Sequence, residues 1–134
     1  MSLTINIQSF SYKKGFPENK YGNGGGFVFD CRGIYNPGRL EAFKNKTGLD
    51  TEVQYFIDSQ TEMQHFIKHA FGMVEITVNS YLERGFEHLQ VCFGCTGGQH
   101  RSVYAVEKMT EYLQNRYPEV IFVKEHTNRE NWVR

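Results

Sequence analysis

The residues with the clearest chemistry lie in one short stretch, Cys95 to Ser102, with the sequence CTGGQHRS. An apolar segment precedes it and a segment of helical periodicity follows it, so the stretch connects a strand to a helix. Unpaired backbone N–H groups and the helix dipole make such a connection a receptor for anions. Gly97 and Gly98 allow a ligand to approach the backbone closely, and Arg101 adds a fork of donors that matches phosphate oxygens. The stretch therefore predicts a site for a phosphate-like group.

Three residues outside the stretch are expected near this site. The apolar run from Phe27 ends in Asp30 and Arg32, which project to one face because strand side chains repeat every second residue. Ligands bind beyond the carboxyl ends of strands in open α/β sheets. An ion pair of purely structural value is the alternative for Asp30 and Arg32. The full predicted set of ligand contacts is Cys95, Thr96, Gly97, Gly98, Gln99, His100, Arg101, Ser102, Asp30, Arg32 and Arg39.

The spacing of Cys95, Arg101 and Ser102 also matches the C-x(5)-R-S signature of cysteine-dependent phosphatases. In that chemistry a thiolate attacks phosphorus while backbone amides and the arginine hold the phosphate oxygens. A helix N-terminus and a nearby cation would lower the pKa of the cysteine. Asp30 is the candidate general acid. Gly94 stands where the tyrosine-phosphatase signature has histidine, and the sequence leaves this catalytic alternative open beside a non-catalytic site.

The longer string CTGGQHRSVY resembles the RapZ C-terminal domain family, which belongs to the bacterial RNase adapter proteins. Four further segments resemble that family in the same order, and the likeness extends from about Ser9 to Arg129. The resemblance implies a regulatory module that senses a phosphorylated sugar and binds RNA, rather than an enzyme. The four segments are Phe29-Asp30-Cys31-Arg32, Asn36-Pro37, Thr47-Gly48-Leu49-Asp50, and Val53 with Phe56-Ile57.

The resemblance carries further expectations. A histidine commonly follows the family's Asn-Pro pair and is linked to recognition of glucosamine-6-phosphate. Gly38 occupies that position here, so the sugar is left unspecified. In the family, basic residues after the last strand make most of the contacts to RNA, and Lys124, His126 and Arg129 are their counterparts in this chain. Self-association is a further implication. No Walker A motif occurs, so the nucleotide-binding half that accompanies this domain in the family is not part of this sequence.

Composition sets broad limits on these hypotheses. At 134 residues the chain is expected to form one domain, 1–134. Fifteen basic and fifteen acidic residues give no net charge, so an RNA site would have to be a local patch. Three cysteines and no secretory signal predict reduced thiols in the cytoplasm. No apolar run is long enough to span a membrane. Cys92 and Cys95 have no second pair of ligands, so neither a metal nor a cofactor is predicted.

Hydrophobic periodicity predicts an α/β fold with a mixed, mainly parallel sheet of about four strands flanked by helices. The ligand site should lie at the C-terminal edge of the strands. A glycine-rich loop at 13–26 is expected to be either functional or mobile. Residues 1–3 are read as a cloning remnant, and 130–134 as a tail without fixed structure. The strands are expected near 3–12, 27–32, 88–93 and 120–123, and the helices near 40–45, 50–60, 62–84 and 101–116.

Overall fold

The computed structural model describes residues 2–19 and 25–134. Part of the predicted 13–26 loop, at 20–24, therefore lies outside the described residues. Four strands form one sheet in the order β2-β3-β1-β4, and every neighbouring pair is parallel. The predicted α/β class is confirmed, and among the described residues no strand pairs in the antiparallel sense. The strands are β1 (Thr4–Ser11), β2 (Gly26–Asp30), β3 (His88–Cys95) and β4 (Ile121–His126).

Three helices connect and cover these strands: α1 (Thr51–Gln60), α2 (Met63–Arg84) and α3 (Arg101–Arg116). Their apolar residues recur at three- and four-residue intervals, which gives each helix one apolar face. These faces pack with one face of the sheet in a single core that includes Ile7, Val91 and Phe93. Leu3, inside the predicted cloning remnant, is part of that core and is 2% exposed. The core fixes β1 and β3 at the centre, so their carboxyl ends lie in the middle of one sheet edge.

The C-terminal segment packs against the rest of the domain through Trp132. A short 3-10 turn spans Arg129–Asn131, and Trp132 after it is 8% exposed. Burial of the indole is favourable because it removes a large apolar surface from water, and the buried indole N–H donates to the Gly98 carbonyl. Two other 3-10 turns, Pro37–Arg39 and Glu41–Phe43, replace the predicted helix at 40–45. No helix within the described ranges has both the length and the apolarity needed to cross a bilayer.

Helix α2 runs without interruption through Gly72. A Cβ at this exposed position would meet no heavy atom within 4 Å. We therefore expect Gly72→Ala to raise the free energy of unfolding by about 0.4–1 kcal/mol, because alanine restricts the unfolded chain. Urea denaturation of both proteins measures the difference. Gly85→Ala is the matched control and should be destabilising, since Gly85 ends the helix at φ +73°. A lower stability for Gly72→Ala would contradict the prediction.

Candidate functional site

The predicted anion loop lies at the carboxyl end of the two central strands. Ser11 at the end of β1 is opposite Cys95 at the end of β3, and the chain then turns through 96–100 into α3. Gly98 has φ +65°, and its Cα lies so close to β1 that a Cβ would be 2.9 Å from the Ser11 nitrogen. Only glycine fits this turn without strain. The strand-to-helix connection that the sequence predicted is therefore present.

Four consecutive carbonyl groups of this loop accept hydrogen bonds from other parts of the protein. The Thr96 oxygen accepts from the Ser11 hydroxyl at 2.7 Å. The Gly97 and Gly98 oxygens accept from the Asn128 side-chain amide and the Trp132 indole, each at 2.8 Å. The Gln99 oxygen accepts from the backbone N–H of Gly48 at 2.9 Å. Since C=O and N–H of a trans peptide point in opposite directions, each N–H of residues 97–100 points away from the donor that is bound to the carbonyl of its own peptide.

The backbone amides of this loop have no hydrogen-bond acceptor among the described residues. No backbone N–H of residues 96–101 donates a hydrogen bond to any residue within 2–19 and 25–134. The first N–H groups of a helix have no intrahelical acceptor, and Thr96 and Gly97 are exposed. Buried or partly buried N–H groups are normally paired. The loop amides are therefore available to acceptors from outside the chain, which water or an oxyanion can supply.

A polar cavity of about 420 Å³ opens beside the loop. Arginine side chains come into it from three directions: the end of β2, the 3-10 turn at 37–39, and the first residue of α3. No acidic residue lines it. The cavity is thus positively charged and large enough for a small phosphorylated molecule. Its lining is Arg32, Gly33, Ile34, Tyr35, Asn36, Arg39, Thr96 and Arg101.

Arg101 is 4% exposed and organises one wall of the cavity. Its Nη1 donates to the carbonyl oxygens of Ile34 at 2.7 Å, Arg32 at 3.1 Å and Cys31 at 3.4 Å. Its Nε is buried and has no partner in the part of the chain that the structure describes. A buried charged donor left unpaired is costly. The residue therefore fixes the segment after β2 and keeps donor capacity at the wall of the cavity.

Asp30 and Arg32 form a two-bond pair at the end of β2. Arg32 Nε donates to Asp30 Oδ1 at 2.9 Å and Arg32 Nη2 donates to Oδ2 at 2.7 Å. The hydrogen bond from Arg32 holds the pKa of Asp30 below its usual value, despite the opposing effect of burial. The Arg32 guanidinium also lies over the Tyr12 ring, 3.7 Å from its centroid. Asp30 thus acts on the cavity by orienting Arg32.

Arg39 is exposed at the cavity rim, and its guanidinium donates no hydrogen bond to any residue within 2–19 and 25–134. Its position follows from the Asn-Pro turn, in which the Asn36 side chain accepts from the Gly38 N–H at 2.9 Å. The neighbouring Gly38 abuts the His100 ring, so closely that a Cβ would lie 2.8 Å from Cε1. A larger residue at position 38 would require His100 to move.

Gln99 and His100, both predicted as ligand contacts, use their side chains inside the protein. Gln99 Nε2 donates to the Lys46 and Val133 carbonyls at 2.8 Å, and its Oε1 accepts from the Val133 N–H at 2.9 Å. His100 Nε2 lies 2.9 Å from the Phe43 carbonyl, and burial lowers its pKa, so the ring is neutral and donates there. The side chains of these residues hold the loop against neighbouring segments and do not face a ligand.

Cys95 lies beneath the loop, 2% exposed. Its thiol donates to the Ser102 hydroxyl at 3.1 Å, and the Ser102 N–H lies 3.5 Å from the sulfur. Hydroxyl and sulfur therefore satisfy each other inside the protein. The cysteine–serine contact is the one that the phosphatase hypothesis requires, whereas the burial of the sulfur does not favour attack on a substrate in the cavity.

Lys124 and His126 lie on β4, and β4 and β2 are opposite edges of the sheet. Three strand spacings separate them, about 14 Å. Lys124 Nζ is 2.9 Å from Glu107 Oε1, and His126 Nε2 is 2.8 Å from Glu107 Oε2. The hydrogen bond from His126 lowers the pKa of Glu107. Arg129 lies over the Trp132 ring at 5.4 Å. Neither Lys124 nor His126 is among the residues that line the cavity.

Two groups of functional residues were missed from the sequence. Tyr35 and Asn36 line the cavity, and the Asn-Pro turn was the available signal for them. Asn128 and Trp132 donate hydrogen bonds to the loop, and a tryptophan in a polar tail was the available signal for Trp132.

A larger apolar hollow of about 560 Å³ lies between Glu41–Phe43 and α1, lined by aromatic rings, Glu52 and no basic residue. That composition does not suit an anion.

This chain is similar in sequence to one known protein family and to several curated proteins. Residues 3–129 match the family model described as the RapZ C-terminal domain. A nucleotide-binding protein of Fusobacterium nucleatum is 38% identical over 115 residues, which cover 86% of this chain and 38% of that protein. A nucleotide-binding protein of Endomicrobium trichonymphae is 38% identical over 85% of this chain and 38% of its own length. A nucleotide-binding protein of Bacillus pumilus is 35% identical over 86% of this chain and 37% of its own length. The chain thus spans well under half the length of the curated relatives it matches.

Proposed function

The chain belongs to the RapZ C-terminal domain family, and from that premise we propose that it is a regulatory module that binds a small phosphorylated sugar. The observation that carries the proposal is the loop at 96–101, whose carbonyls are bound by the protein while its amides have no acceptor among the described residues. The phosphate is assigned to those amides at the start of α3, where the helix dipole adds to their attraction.

The guanidiniums of Arg39 and Arg101 complete the proposed phosphate site from the other side of the cavity. Asn36 and Tyr35 offer polar atoms to the hydroxyl groups of a sugar. Asp30 is engaged by Arg32 and does not line the cavity, so the described lining holds no free carboxylate for an amino group. The identity of the sugar is therefore an open part of the proposal.

Hydrolysis by Cys95 is the second candidate, favoured by the contact between its sulfur and Ser102. The 2% exposure of Cys95 and the use of Arg101 Nη1 on backbone carbonyls place it below binding. Hydrolysis needs the sulfur in line with the phosphorus and a general acid near the leaving oxygen. Asp30, the acid that the sequence suggested, is held by Arg32.

Arg39→Ala provides the test of binding, because this exposed side chain has no structural role to lose. We expect the affinity for a hexose 6-phosphate to fall about tenfold, the value of a charged hydrogen bond at a partly exposed site. Isothermal titration calorimetry with hexose and amino-hexose 6-phosphates measures it. Thermal unfolding should be unchanged in the absence of ligand.

Lys44→Ala is the matched control, an exposed cation on the following 3-10 turn whose ammonium pairs weakly with Glu41 at 3.7 Å. It should bind like the unmodified chain. Absence of heat with every sugar phosphate, or equal affinity in Arg39→Ala, would rule out the assigned site. Turnover of p-nitrophenyl phosphate that disappears in Cys95→Ser would favour the hydrolytic candidate instead.

RNA binding is proposed on the family relationship, with weaker support from the described charges. Lys124 and His126 are both engaged by Glu107, so neither offers a free positive charge to a phosphate backbone. Arg129 and Arg134 flank the Trp132 ring and form the basic group nearest the end of β4. Neutralising a phosphate backbone takes several cations on one face. Self-association likewise stays a prediction from the resemblance.

A further inference from the structure

The segment that follows β4 crosses the anion loop and contacts it at three successive residues. Asn128 Nδ2 donates to the Gly97 carbonyl, and Trp132 Nε1 donates to the Gly98 carbonyl. The Val133 backbone exchanges two hydrogen bonds with the side-chain amide of Gln99. Asn128 is 7% exposed and Trp132 is 8% exposed. The family model matches residues 3–129 only, so Trp132 and Val133 lie beyond it.

These contacts control the direction of the loop amides. A peptide can rotate as a unit between its two flanking Cα atoms, and glycine on either side removes most of the resistance to that rotation. Gly97 and Gly98 give the loop this freedom. A donor on the Gly98 carbonyl fixes the next N–H, that of Gln99, on the opposite side, and a donor on the Gly97 carbonyl does the same for the N–H of Gly98.

We propose that Trp132 and Asn128 are positioning residues of the anion site, which hold the Gly98 and Gln99 amides towards the bound phosphate. This inference rests on the proposed function, since it needs an anion at the loop. The residues act through the loop peptides and do not touch the ligand. Preorganised amides bind an anion more tightly than rotating ones, because the rotation does not have to be frozen on binding.

Trp132 is also a natural reporter, because the chain contains one tryptophan. Its indole N–H gives one resonance in a ¹H–¹⁵N correlation spectrum. We expect titration with inorganic phosphate to shift this resonance with the same midpoint as the Gly98 and Gln99 amides, since the hydrogen bond to the Gly98 carbonyl strengthens when the neighbouring amide binds an anion. A tail that merely covers the loop would leave the indole resonance unmoved.

Trp132→Phe removes the indole donor and keeps an aromatic ring against His126, which lies 5.6 Å away between centroids. We expect its affinity for inorganic phosphate to fall about fivefold to tenfold, the share of one oriented hydrogen bond. Thr127→Val is the matched control: it loses a 2.8 Å hydrogen bond from the same segment to the Ser9 carbonyl, which is outside the loop. It should bind phosphate as the unmodified chain does.

The outcomes separate the two proposals. If the unmodified chain shows no amide shifts with phosphate at 96–101, the proposed function fails. If those amides shift while the indole does not, or if Trp132→Phe binds as tightly as Thr127→Val, the anion site stands and the positioning role is overturned. The indole measurement uses the unmodified protein, so it decides the question even if Trp132→Phe does not fold.

Discussion

Arg101→Ala is expected to abolish measurable phosphate binding and to lower the free energy of unfolding by about 2–3 kcal/mol. Both effects come from one guanidinium. Its Nη1 serves three carbonyl oxygens of the segment after β2, its Nε is buried without a partner among the described residues, and the residue lines the cavity. Truncation leaves those carbonyls without their donor and removes the positive charge beside the loop. Desolvating a guanidinium is itself costly, which is why the expected loss of stability is smaller than the sum of three charged hydrogen bonds.

Two measurements separate the structural part of this effect from the binding part. Chemical denaturation gives the change in stability without ligand. The increase of the melting temperature on adding a sugar phosphate gives the change in binding, because a ligand that binds only the folded state stabilises it. Arg101→Lys is the informative companion: it keeps the charge and loses the planar guanidinium whose Nη1 serves the three carbonyls. An Arg101→Ala protein that is stabilised by phosphate as much as the unmodified chain would contradict the assignment.

Gly98→Ala should cost about 2–4 kcal/mol of stability and should also disrupt the anion loop. The residue has φ +65°, and a Cβ would lie 2.9 Å from the Ser11 nitrogen and 3.0 Å from the Ser11 Cβ. The conformational strain of alanine at positive φ is about 1–2 kcal/mol, and the clash with β1 adds to it. Since β1 is a central strand, the loop is the part that must move, and the orientation of its amides changes with it.

Gly97→Ala is the control, one residue away in the same loop. Its φ is not positive, and a Cβ there would meet nothing within 4 Å. We expect its free energy of unfolding to stay within about 0.5 kcal/mol of the unmodified value. Urea denaturation of both variants measures the contrast. Equal stabilities for the two alanine variants would show that the turn at Gly98 is not the constraint that the geometry indicates.

The anion loop was predictable because its chemistry is local. Two adjacent glycines between an apolar strand and an amphipathic helix predict a turn with free amides at the helix start, and the structure forms that turn at 96–100. Arg32, Arg39 and Arg101 were each predicted from neighbouring motifs, and all three line the cavity. The α/β class with four strands followed from periodicity in the same way.

The side-chain roles within the loop were not predictable, because they depend on partners far along the chain. Gln99 reaches Lys46 and Val133, and His100 reaches Phe43, so both side chains point into the protein. A sequence motif gives the type of each residue and not the direction of its side chain. That direction is set by which segments pack beside the loop.

The sequence by itself determined the fold class, the position of the anion loop and the arginines around it, since each depends on local periodicity and backbone preference. The order of the strands was decided only in the tertiary structure, which placed β4 three positions from β2 and so separated His126 from the cavity. The tertiary structure also brought Asn128 and Trp132 onto the loop carbonyls. These contacts join residues more than thirty positions apart, and no local preference encodes them.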